Sequence, residues 1–305
     1  MSIEYEKYHG TGNDFVVVDA NEYVPDRGAF ARTVCDRRDG VSVGETGQTG
    51  DDETETSVGA DGTLFLALES QFSPPRAVMT LVQPDGSTAA MCGNGARCAA
   101  KWAAEQTGAD TIMLDTQAGT RRAELRDGEA TIEMGQPSFS PADVPLDAEC
   151  EDPLIEEPVA GVELTAVNTG VPHAVAFVED VSEVALESVA PEVRHAEVFP
   201  GGANVTFASP RDDGGFDQRT YERGVEGETQ SCGTGAVAIG VAARRLGRTT
   251  DEEVAVFPPG GRLDVGFRDG RATLTGPVER EFEGEVSSTP EPRRVRSVTR
   301  RGNSR

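Results

Sequence analysis

The sequence predicts an α+β protein of two similar halves, each with short β-strands around one central helix. A Cys-Gly-x-Gly-Ala motif occurs twice, at Cys92 and at Cys232, about 140 residues apart. An alanine-rich helical segment follows each motif, over 97–106 and 236–246, and ends at a glycine, as helices often do. The proline- and acid-rich stretch 135–158 is the expected boundary between the halves.

The first half contains short segments rich in β-branched and apolar residues, which predict strands. These segments are 3–7, 15–18, 63–68, 78–82, 111–115, 122–125 and 130–134. The apolar spacing of 29–37 predicts a helix with Phe30, Val34 and Cys35 turned inward. Asp127 and Gly128 form a dipeptide typical of two-residue turns, so the last two of these strands are predicted to form a hairpin.

The second half follows the same plan. Its predicted strands are 164–167, 174–178, 204–208, 218–222, 254–257, 262–267 and 272–275. A helix is predicted over 184–194, and Asp269-Gly270 marks another tight turn. The repeat is therefore one of structure and chemistry and not a tandem sequence repeat.

Two segments lack the residues that build a core. The stretch 44–57 is rich in Gly, Thr, Asp and Glu and predicts an exposed, mobile insertion. The stretch 292–305 holds six arginines and no acid, which predicts a basic, disordered tail over 288–305. The alternative for this tail is contact with the chain's own acidic surface or with nucleic acid.

The charge of the chain excludes several classes of partner. It has 53 acidic and 28 basic residues and a formal net charge of −25. Such a field repels nucleic acid and anionic membrane surfaces, so neither is an expected partner. The polar start at 1–7 is unlike a signal peptide, and no apolar run has the length of a membrane span. We expect a cytoplasmic protein with a solvated acidic surface, adapted to high salt, where ions screen the repulsion between carboxylates.

The cysteine pattern favours reactive thiols over a disulfide framework or a metal site. The chain has five cysteines, an odd number without zinc-site spacing: Cys35, Cys92, Cys98, Cys150 and Cys232. Lysine occurs only at Lys7 and Lys101, and neither has the context of a pyridoxal Schiff base. No metal and no cofactor are expected.

The two motif cysteines are predicted to lie at helix N-termini. Free N–H groups and the positive end of the helix dipole favour anions there and shift a thiol toward the reactive thiolate. The motif glycines let backbone N–H groups approach a small anionic ligand closely. Two such units place one thiol on each side of a ligand, which is the arrangement a cofactor-free racemase or epimerase needs. The alternative is a pair of turns with buried, inert cysteines.

Four stretches together resemble the diaminopimelate epimerase family. They are His-Gly-Thr-Gly-Asn-Asp-Phe at 9–15, Met-Cys-Gly-Asn-Gly-Ala-Arg-Cys at 91–98, Gly-Val-Pro-His at 170–173, and the Glu-Arg-Gly and Cys-Gly-Thr-Gly-Ala segments within 222–236. They stand in the family's order, and the resemblance extends from about residue 3 to 286.

The resemblance implies two pseudo-symmetric lobes, each a curved, mostly antiparallel sheet around a central helix. The expected lobes are 1–136 and 137–276, with a final strand at about 277–287 that returns to the first lobe. The active site would lie in the cleft between the lobes. The resemblance also implies a homodimer that binds a small-molecule substrate, diaminopimelate.

The resemblance assigns roles to individual residues. Cys92 would be the base and Cys232 the acid for the LL isomer, with Glu222 and His173 beside the reacting centre, where they bind the α-amino group or tune the thiols. The substrate-binding residues would be Asn13, Gln83, Gly93, Asn94, Asn204, Arg223, Gly233 and Thr234. Backbone N–H groups of the two motifs would bind the α-carboxylate, while Asn13, Asn204 and Arg223 would hold the distal end of the substrate.

Some residues depart from the family's usual pattern or have simpler explanations. Val171 stands where many members have asparagine, so one substrate contact is not expected from its side chain. Gln83 also replaces an asparagine but keeps the amide. Glu222 has an alternative role as an ion-pair partner of an arginine, and His173 as a packed loop residue. The alternative functions are a proline or hydroxyproline racemase, a non-catalytic metabolite-binding relative, and a thiol redox protein.

Overall fold

The computed structural model of the chain describes residues 2–42 and 58–287 and shows an α+β protein of two lobes. The predicted insertion at 44–57 and the predicted tail at 288–305 lie outside the described residues. Among those residues the helices are α1 (Arg27–Val34), α2 (Gly93–Thr107), α3 (Leu186–Arg194) and α4 (Gly233–Arg245).

The first lobe wraps its strands around α2. Its strands are β1 (Ser2–Gly10), β2 (Asn13–Asp19), β3 (Gly62–Glu69), β4 (Arg76–Val82), β5 (Thr88–Ala89), β6 (Thr111–Thr116), β7 (Gly119–Arg126) and β8 (Glu129–Gly135). Neighbouring strands are antiparallel except for the pairs β2–β3 and β4–β6. Parallel neighbours need a crossover connection, and each of these two crossovers contains a helix, α1 in the first and α2 in the second.

The second lobe repeats this topology around α4. Its strands are β9 (Glu157–Val159), β10 (Val162–Asn168), β11 (Pro172–Phe177), β12 (Asn204–Pro210), β13 (Phe216–Glu222), β14 (Gly227–Glu228), β15 (Glu253–Phe257), β16 (Leu263–Arg268) and β17 (Arg271–Pro277). Its parallel pairs are β11–β12, with α3 in the crossover, and β13–β15, with α4 in the crossover. The order of antiparallel and parallel pairs therefore matches that of the first lobe.

Two strand pairings join the lobes. The final strand, β18 (Glu279–Ser287), runs antiparallel to β1 in the first lobe, and β17 runs antiparallel to β8. The largest buried apolar cluster contains residues of both α2 and α4, so the two central helices share one core. Small alanine and glycine side chains allow the strands to close around these helices.

Most predicted elements are present, and the differences have local causes. The hairpin turn at Asp127-Gly128 is confirmed, with φ angles of 53° and 84°. The prediction of one helix over 184–194 was wrong at its start, because a separate 3-10 turn occupies Val181–Glu183 and α3 begins at Leu186. Asp180 caps that turn by accepting a hydrogen bond from the backbone N–H of Ser182.

Both central helices start earlier than predicted. They include the motif glycines, so α2 begins at Gly93 and not at residue 97, and α4 begins at Gly233 and not at residue 236. Glycine normally disfavours a helix interior, but Gly93 and Gly233 lie in first turns where a Cβ atom would come within 2.7 Å of Cδ2 of Leu274.

Candidate active site

Cys92 and Cys232 are the N-cap residues of the two central helices. Both have extended backbones and both are free thiols. The backbone N–H of Gly95 donates to Sγ of Cys92 at 3.4 Å, and Sγ of Cys232 lies 3.5 Å from Oγ1 of Thr234. Each thiol therefore lies at the positive end of a helix dipole.

The first turns of the two helices meet. A Cβ atom built on Gly93 would lie 3.4 Å from Cα of Gly233, and one built on Gly233 would lie 3.4 Å from Cα of Gly93. Asn94 and Thr234, the second residues of these turns, are also buried. Two sets of free backbone N–H groups thus converge on one place, which is the electrostatic environment that binds a carboxylate.

The expected shift of the two thiols toward thiolate is wrong for this structure. Burial raises the pKa of Cys92 to about 11 and that of Cys232 well above its usual value. The nearby charge of Glu222 also raises the pKa of both thiols, and the backbone N–H groups of the helix ends lower it by less than burial raises it. Loss of hydration outweighs the helix terminus here, so the unliganded site favours the protonated form of both thiols.

Glu222 lies beside both thiols at the end of β13. Its Oε1 accepts a hydrogen bond from Oγ1 of Thr229 at 2.6 Å, and its carboxylate is hydrogen-bonded to the Cys232 thiol. Burial raises its pKa. Within residues 2–42 and 58–287, Glu222 takes part in no ion pair, so the alternative role as an arginine partner has no support among them.

His173 is fully buried in β11 and contacts Thr234 of the second motif. Its Nε2 lies 2.9 Å from Oγ1 of Thr234, and its Nδ1 lies 3.2 Å from Oγ1 of Thr206. Burial, assisted by the charge of Arg223, lowers its pKa to about 3. The imidazole is therefore neutral, and with both ring nitrogens engaged it reaches Cys232 through the Thr234 hydroxyl.

The predicted substrate ligands Asn13 and Asn94 lie together beside Cys92. Asn94 Nδ2 donates to Oδ1 of Asn13 at 3.2 Å and to the carbonyl of Ser231 at 3.1 Å. Oδ1 of Asn13 lies 4.0 Å from Sγ of Cys92. The Asn94 side chain therefore links the first motif to the residue preceding Cys232.

Arg223 and Asn204 form the opposite end of the site. Asn204 Oδ1 accepts from the backbone N–H of Arg223 at 2.8 Å, and its Nδ2 lies 3.4 Å from Nε2 of His173. The Arg223 guanidinium contacts only the carbonyls of Gly201 and Gly202, each at 3.3 Å, and makes no ion pair with a carboxylate in the described part of the chain. Burial lowers its pKa, but at neutral pH it remains a cation.

Gln83 reaches this end of the site from the first lobe. A Cβ atom built on Gly224 would lie 3.6 Å from its Nε2. Its Oε1 accepts a hydrogen bond from Ser87 at 2.9 Å, within the turn that follows β4. The structure thus brings all the candidate residues from both lobes into one region.

Several polar residues around the site were not singled out in the sequence. They are Asp61, Arg97, Thr206, Thr229 and Ser231. Thr206 could have been predicted from the sequence. It lies two residues after Asn204, and alternate residues of a strand share a face. The contacts of Asp61 and Ser231 join segments distant in sequence, which no local pattern indicates.

Two other kinds of feature are absent from the described residues. Residues 2–42 and 58–287 contain no helix long and apolar enough to cross a membrane. The same ranges contain no group of three or more potential metal ligands among His, Cys, Asp and Glu.

Comparison of the sequence with known proteins points to one family. Residues 52–140 and 165–281 match the family described as "Diaminopimelate epimerase". A protein of that name from Methanocella arvoryzae is 44% identical over 296 residues, covering 93% of this chain and 96% of that protein. Another from Methanothrix thermoacetophila is 39% identical, with the same coverage of 93% and 96%.

Solved structures with the same fold are more distant in sequence. A probable proline racemase from Agrobacterium radiobacter K84 superposes with a TM-score of 0.64 at 18% identity, covering 95% of this chain and 94% of that one. A hydroxyproline epimerase from Agrobacterium vitis gives 0.62 at 18% identity, covering 93% and 91%. These matches establish the two-lobed fold.

Proposed function

The chain belongs to the diaminopimelate epimerase family, and we propose that it interconverts LL- and meso-2,6-diaminopimelate by proton transfer between two thiols. The reaction inverts one α-carbon, so the protein is an isomerase, and its product serves lysine biosynthesis. The observation that carries this proposal is the pair of cysteine N-caps on helices whose first turns meet.

The proposed step needs one thiolate and one thiol. The thiolate of Cys92 removes the α-proton of the LL isomer, and the bond electrons remain on carbon and its carboxylate. The thiol of Cys232 then delivers its proton to the opposite face of that carbon. After one turnover Cys92 holds the proton and Cys232 is the thiolate, so the reverse reaction exchanges the two roles.

Backbone N–H groups supply the stabilisation of the carbanion. Those of Gly93, Asn94, Gly233 and Thr234 lie in the two converging first turns. Preorganised donors at the place where negative charge develops are worth far more in a buried site than in water. We therefore assign the α-carboxylate of the substrate to this position.

Glu222 and His173 have different proposed roles. Glu222 is the counter-charge for the α-ammonium of the substrate, and binding of that cation offsets the carboxylate charge that raises the thiol pKa values. His173 is a positioning residue, because its neutral ring contacts Thr234 at 2.9 Å and Thr234 contacts Cys232 at 3.5 Å.

The distal end of the substrate is assigned to the opposite end of the site. Arg223 offers a guanidinium without an ion-pair partner in the described chain, which suits a carboxylate. Asn204 and Gln83 supply amide groups at this end. Asn13 lies beside Cys92 and Asn94, at the reacting end. The apolar ring of proline could not pair with the polar and charged groups at the distal end of the site. This disfavours the proline racemase alternative.

Proton exchange tests the proposal directly. LL-diaminopimelate is incubated with reduced protein in deuterated high-salt buffer, and the α-proton signal is followed by NMR. We expect deuterium at the α-carbon together with the meso isomer, and loss of both in Cys92→Ala and Cys232→Ala. Cys150→Ala is the matched control, since this cysteine is free and half-buried but lies outside the site. Absence of exchange in the folded wild-type protein contradicts the substrate assignment, and proline and hydroxyproline are then tested.

Properties beyond the reaction are also proposals. We propose that the lobes are 1–136 and 137–276, that the protein is a cytoplasmic homodimer, and that nucleic acid is not a partner. Adaptation to high salt is supported by the formal net charge of −25. Size-exclusion chromatography with light scattering tests the dimer, for which a monomer mass is the contrary result.

A further inference from the structure

The two cysteine motifs differ in charge at one buried position. The residue five positions after Cys92 is Arg97, and the residue five positions after Cys232 is Val237. Both side chains are fully buried, in α2 and in α4. Both thiols lie at a helix N-terminus, so the helix dipoles alone do not distinguish them. Arg97 is therefore the charged side chain that breaks the symmetry of the repeated motif.

The guanidinium of Arg97 makes no ion pair with a carboxylate in the described part of the chain. It donates instead to three neutral oxygen atoms, namely the carbonyl of Pro277 at 2.8 Å, Oγ1 of Thr11 at 2.9 Å and Oδ1 of Asn94 at 2.5 Å. Its Nε is buried without a hydrogen-bond acceptor. Burial lowers its pKa, but a guanidinium remains charged at neutral pH. A buried cation is costly unless an anion balances it.

Two glycines leave space for this cation. A Cβ atom built on Gly10 would lie 3.1 Å from Nη2 of Arg97, and one built on Gly276 would overlap Nη1. Together with the three hydrogen bonds, this close fit holds the charge in one place. A charge that is already in position needs no rearrangement when an anion forms nearby.

Three groups that can carry negative charge act on Arg97: Cys98, Cys92 and Glu129. Cys98 is fully buried in the apolar core, and burial raises its pKa well above the usual value, so it stays a thiol. Glu129 is exposed at the start of β8, where water and salt weaken its effect. Cys92 is the one that exchanges a proton in the proposed reaction, and the charge of Arg97 lowers its pKa.

The charges around Cys232 act in the opposite sense. Its thiol is hydrogen-bonded to the carboxylate of Glu222, which accepts the bond and so favours retention of the proton. Burial raises the pKa of Cys232 most, and the charges of Glu222 and Cys92 raise it as well. Glu222 also raises the pKa of Cys92, but there the charge of Arg97 opposes it. A single negative charge shared by the two sulfur atoms is therefore more stable on Cys92.

We propose that Arg97 is a positioning residue that keeps the single negative charge of the thiol pair on Cys92, so that the free enzyme is ready for the LL isomer. This inference rests on the proposed function. After each conversion to the meso isomer, Cys92 holds the proton and Cys232 is the thiolate. The free enzyme returns to its first form when one proton moves from the Cys92 thiol to the Cys232 thiolate, and Arg97 favours that return.

Alkylation of each cysteine in the reduced protein tests this assignment without substrate. Iodoacetamide is added in trace amount across a pH series, and peptide mapping gives the initial rate at Cys92 and at Cys232. The pH at which a rate rises reports ionisation of that thiol, whereas accessibility only scales the rate. In the wild-type protein we expect the rate at Cys92 to rise at lower pH than the rate at Cys232. The reverse order overturns the inference.

Arg97→Met and Arg97→Lys are the matched variants, because Met removes the charge and Lys keeps it on a side chain that is also unbranched. A pKa rise of about one unit lowers the thiolate fraction tenfold, and the greater nucleophilicity of a more basic thiolate restores part of the rate. In Arg97→Met we therefore expect alkylation of Cys92 to slow by about three- to tenfold at neutral pH, with little change at Cys232. Arg97→Lys should remain close to wild type, and kcat/KM for LL-diaminopimelate should follow the alkylation rate of Cys92 in both variants.

A purely structural role of Arg97 predicts a change of the opposite sign. Loss of its hydrogen bonds would loosen the helix end and expose both thiols, so both would be alkylated faster. Unchanged or faster alkylation of Cys92 in a folded Arg97→Met variant thus overturns the inference, and circular dichroism with urea unfolding establishes the fold. If this variant does not fold, the order of the two wild-type pH midpoints decides. Wild-type protein in which Cys92 ionises first but which lacks epimerase activity would count against the proposed function and support the role of Arg97.

Discussion

Gly93 and Gly233 face each other where the two central helices begin, and neither has room for a side chain. A Cβ atom on either residue would lie 2.7 Å from Cδ2 of the buried Leu274 and 3.4 Å from the Cα atom of the opposite glycine. The close approach of the two helix ends therefore depends on both glycines. It is also what brings the backbone N–H groups of both motifs to one anion-binding position.

Replacement of Gly93 by alanine is expected to destabilise the protein and reduce kcat. The added methyl group must displace the Cδ2 methyl group of the buried Leu274, and overpacking of this kind costs about 1–3 kcal/mol. Gly233→Ala should have the same effect by symmetry. Chemical denaturation and steady-state kinetics are the measurements.

Two further variants serve as controls for this change. Leu274→Ala added to Gly93→Ala should restore part of the stability relative to the sum of the single changes, because it creates the space that the methyl group needs. Gly227→Ala should change little, since a Cβ atom there has no neighbour within 4 Å. Wild-type stability and kcat in Gly93→Ala would show that the helix ends are not in contact in solution.

Glu222→Gln is expected to increase the reactivity of Cys92 and to reduce turnover. Burial and, to a smaller extent, the carboxylate charge of Glu222 raise the pKa of Cys92 to about 11. Removal of this charge should lower the pH at which the alkylation rate of Cys92 rises. Turnover falls nonetheless, because the α-ammonium of the substrate loses its counter-charge.

Alkylation by iodoacetamide across a pH series, with peptide mapping of Cys92, measures this shift. Glu226→Gln is the matched control, since Glu226 lies in the same segment but at the protein surface beside Arg194. If the alkylation rate of Cys92 rises at a higher pH in Glu222→Gln than in wild type, the charge of Glu222 does not raise the pKa of this thiol.

Because His173 is buried, we expect the protein to lose stability in mild acid. Burial lowers its pKa from 6.5 in the unfolded chain to about 3 in the folded protein. Between these values the unfolded state binds the extra proton, so the free energy of unfolding falls as pH decreases below 6.5. The slope from this one group approaches about 1.4 kcal/mol per pH unit.

Urea unfolding of wild type and His173→Asn from pH 7 to 5 measures this effect. The contribution of His173 is the difference between the two slopes of unfolding free energy against pH. The variant should be less stable at pH 7 but should depend less on pH. His195→Asn, at an exposed position after α3, is the control for replacement of a histidine outside the site. Equal slopes for wild type and His173→Asn would mean that His173 titrates normally.

Low salt is expected to destabilise the chain. With 53 acidic and 28 basic residues, repulsion between carboxylates opposes folding, and ions at about 1 M screen it beyond roughly 3 Å. Thermal unfolding by circular dichroism should therefore give a higher Tm in molar KCl than in dilute buffer. Sucrose at equal osmolality is the control for solvent exclusion, and an unchanged Tm with full activity in dilute buffer contradicts the prediction.

Features set by neighbouring residues could be predicted from the sequence. The Asp127-Gly128 hairpin, the cysteines at helix N-termini and the repetition of the plan in both halves follow from turn chemistry, capping and periodicity. These rules act over a few residues, so each segment carries its own signal. The resemblance to the family also predicted that the last strand returns to the first lobe, and β18 does pair with β1.

Properties that depend on the surroundings of a group required the folded chain. Helix-terminus chemistry alone suggested lowered thiol pKa values, but enclosure by both lobes raises that of Cys92 to about 11. The partners of His173 and the hydrogen bonds of Asn13 to Asn94 and Asp61 likewise join segments distant in sequence. Desolvation and the polarity of a hydrogen-bond network are sums over everything packed around a site, and that sum exists only once the two lobes are closed.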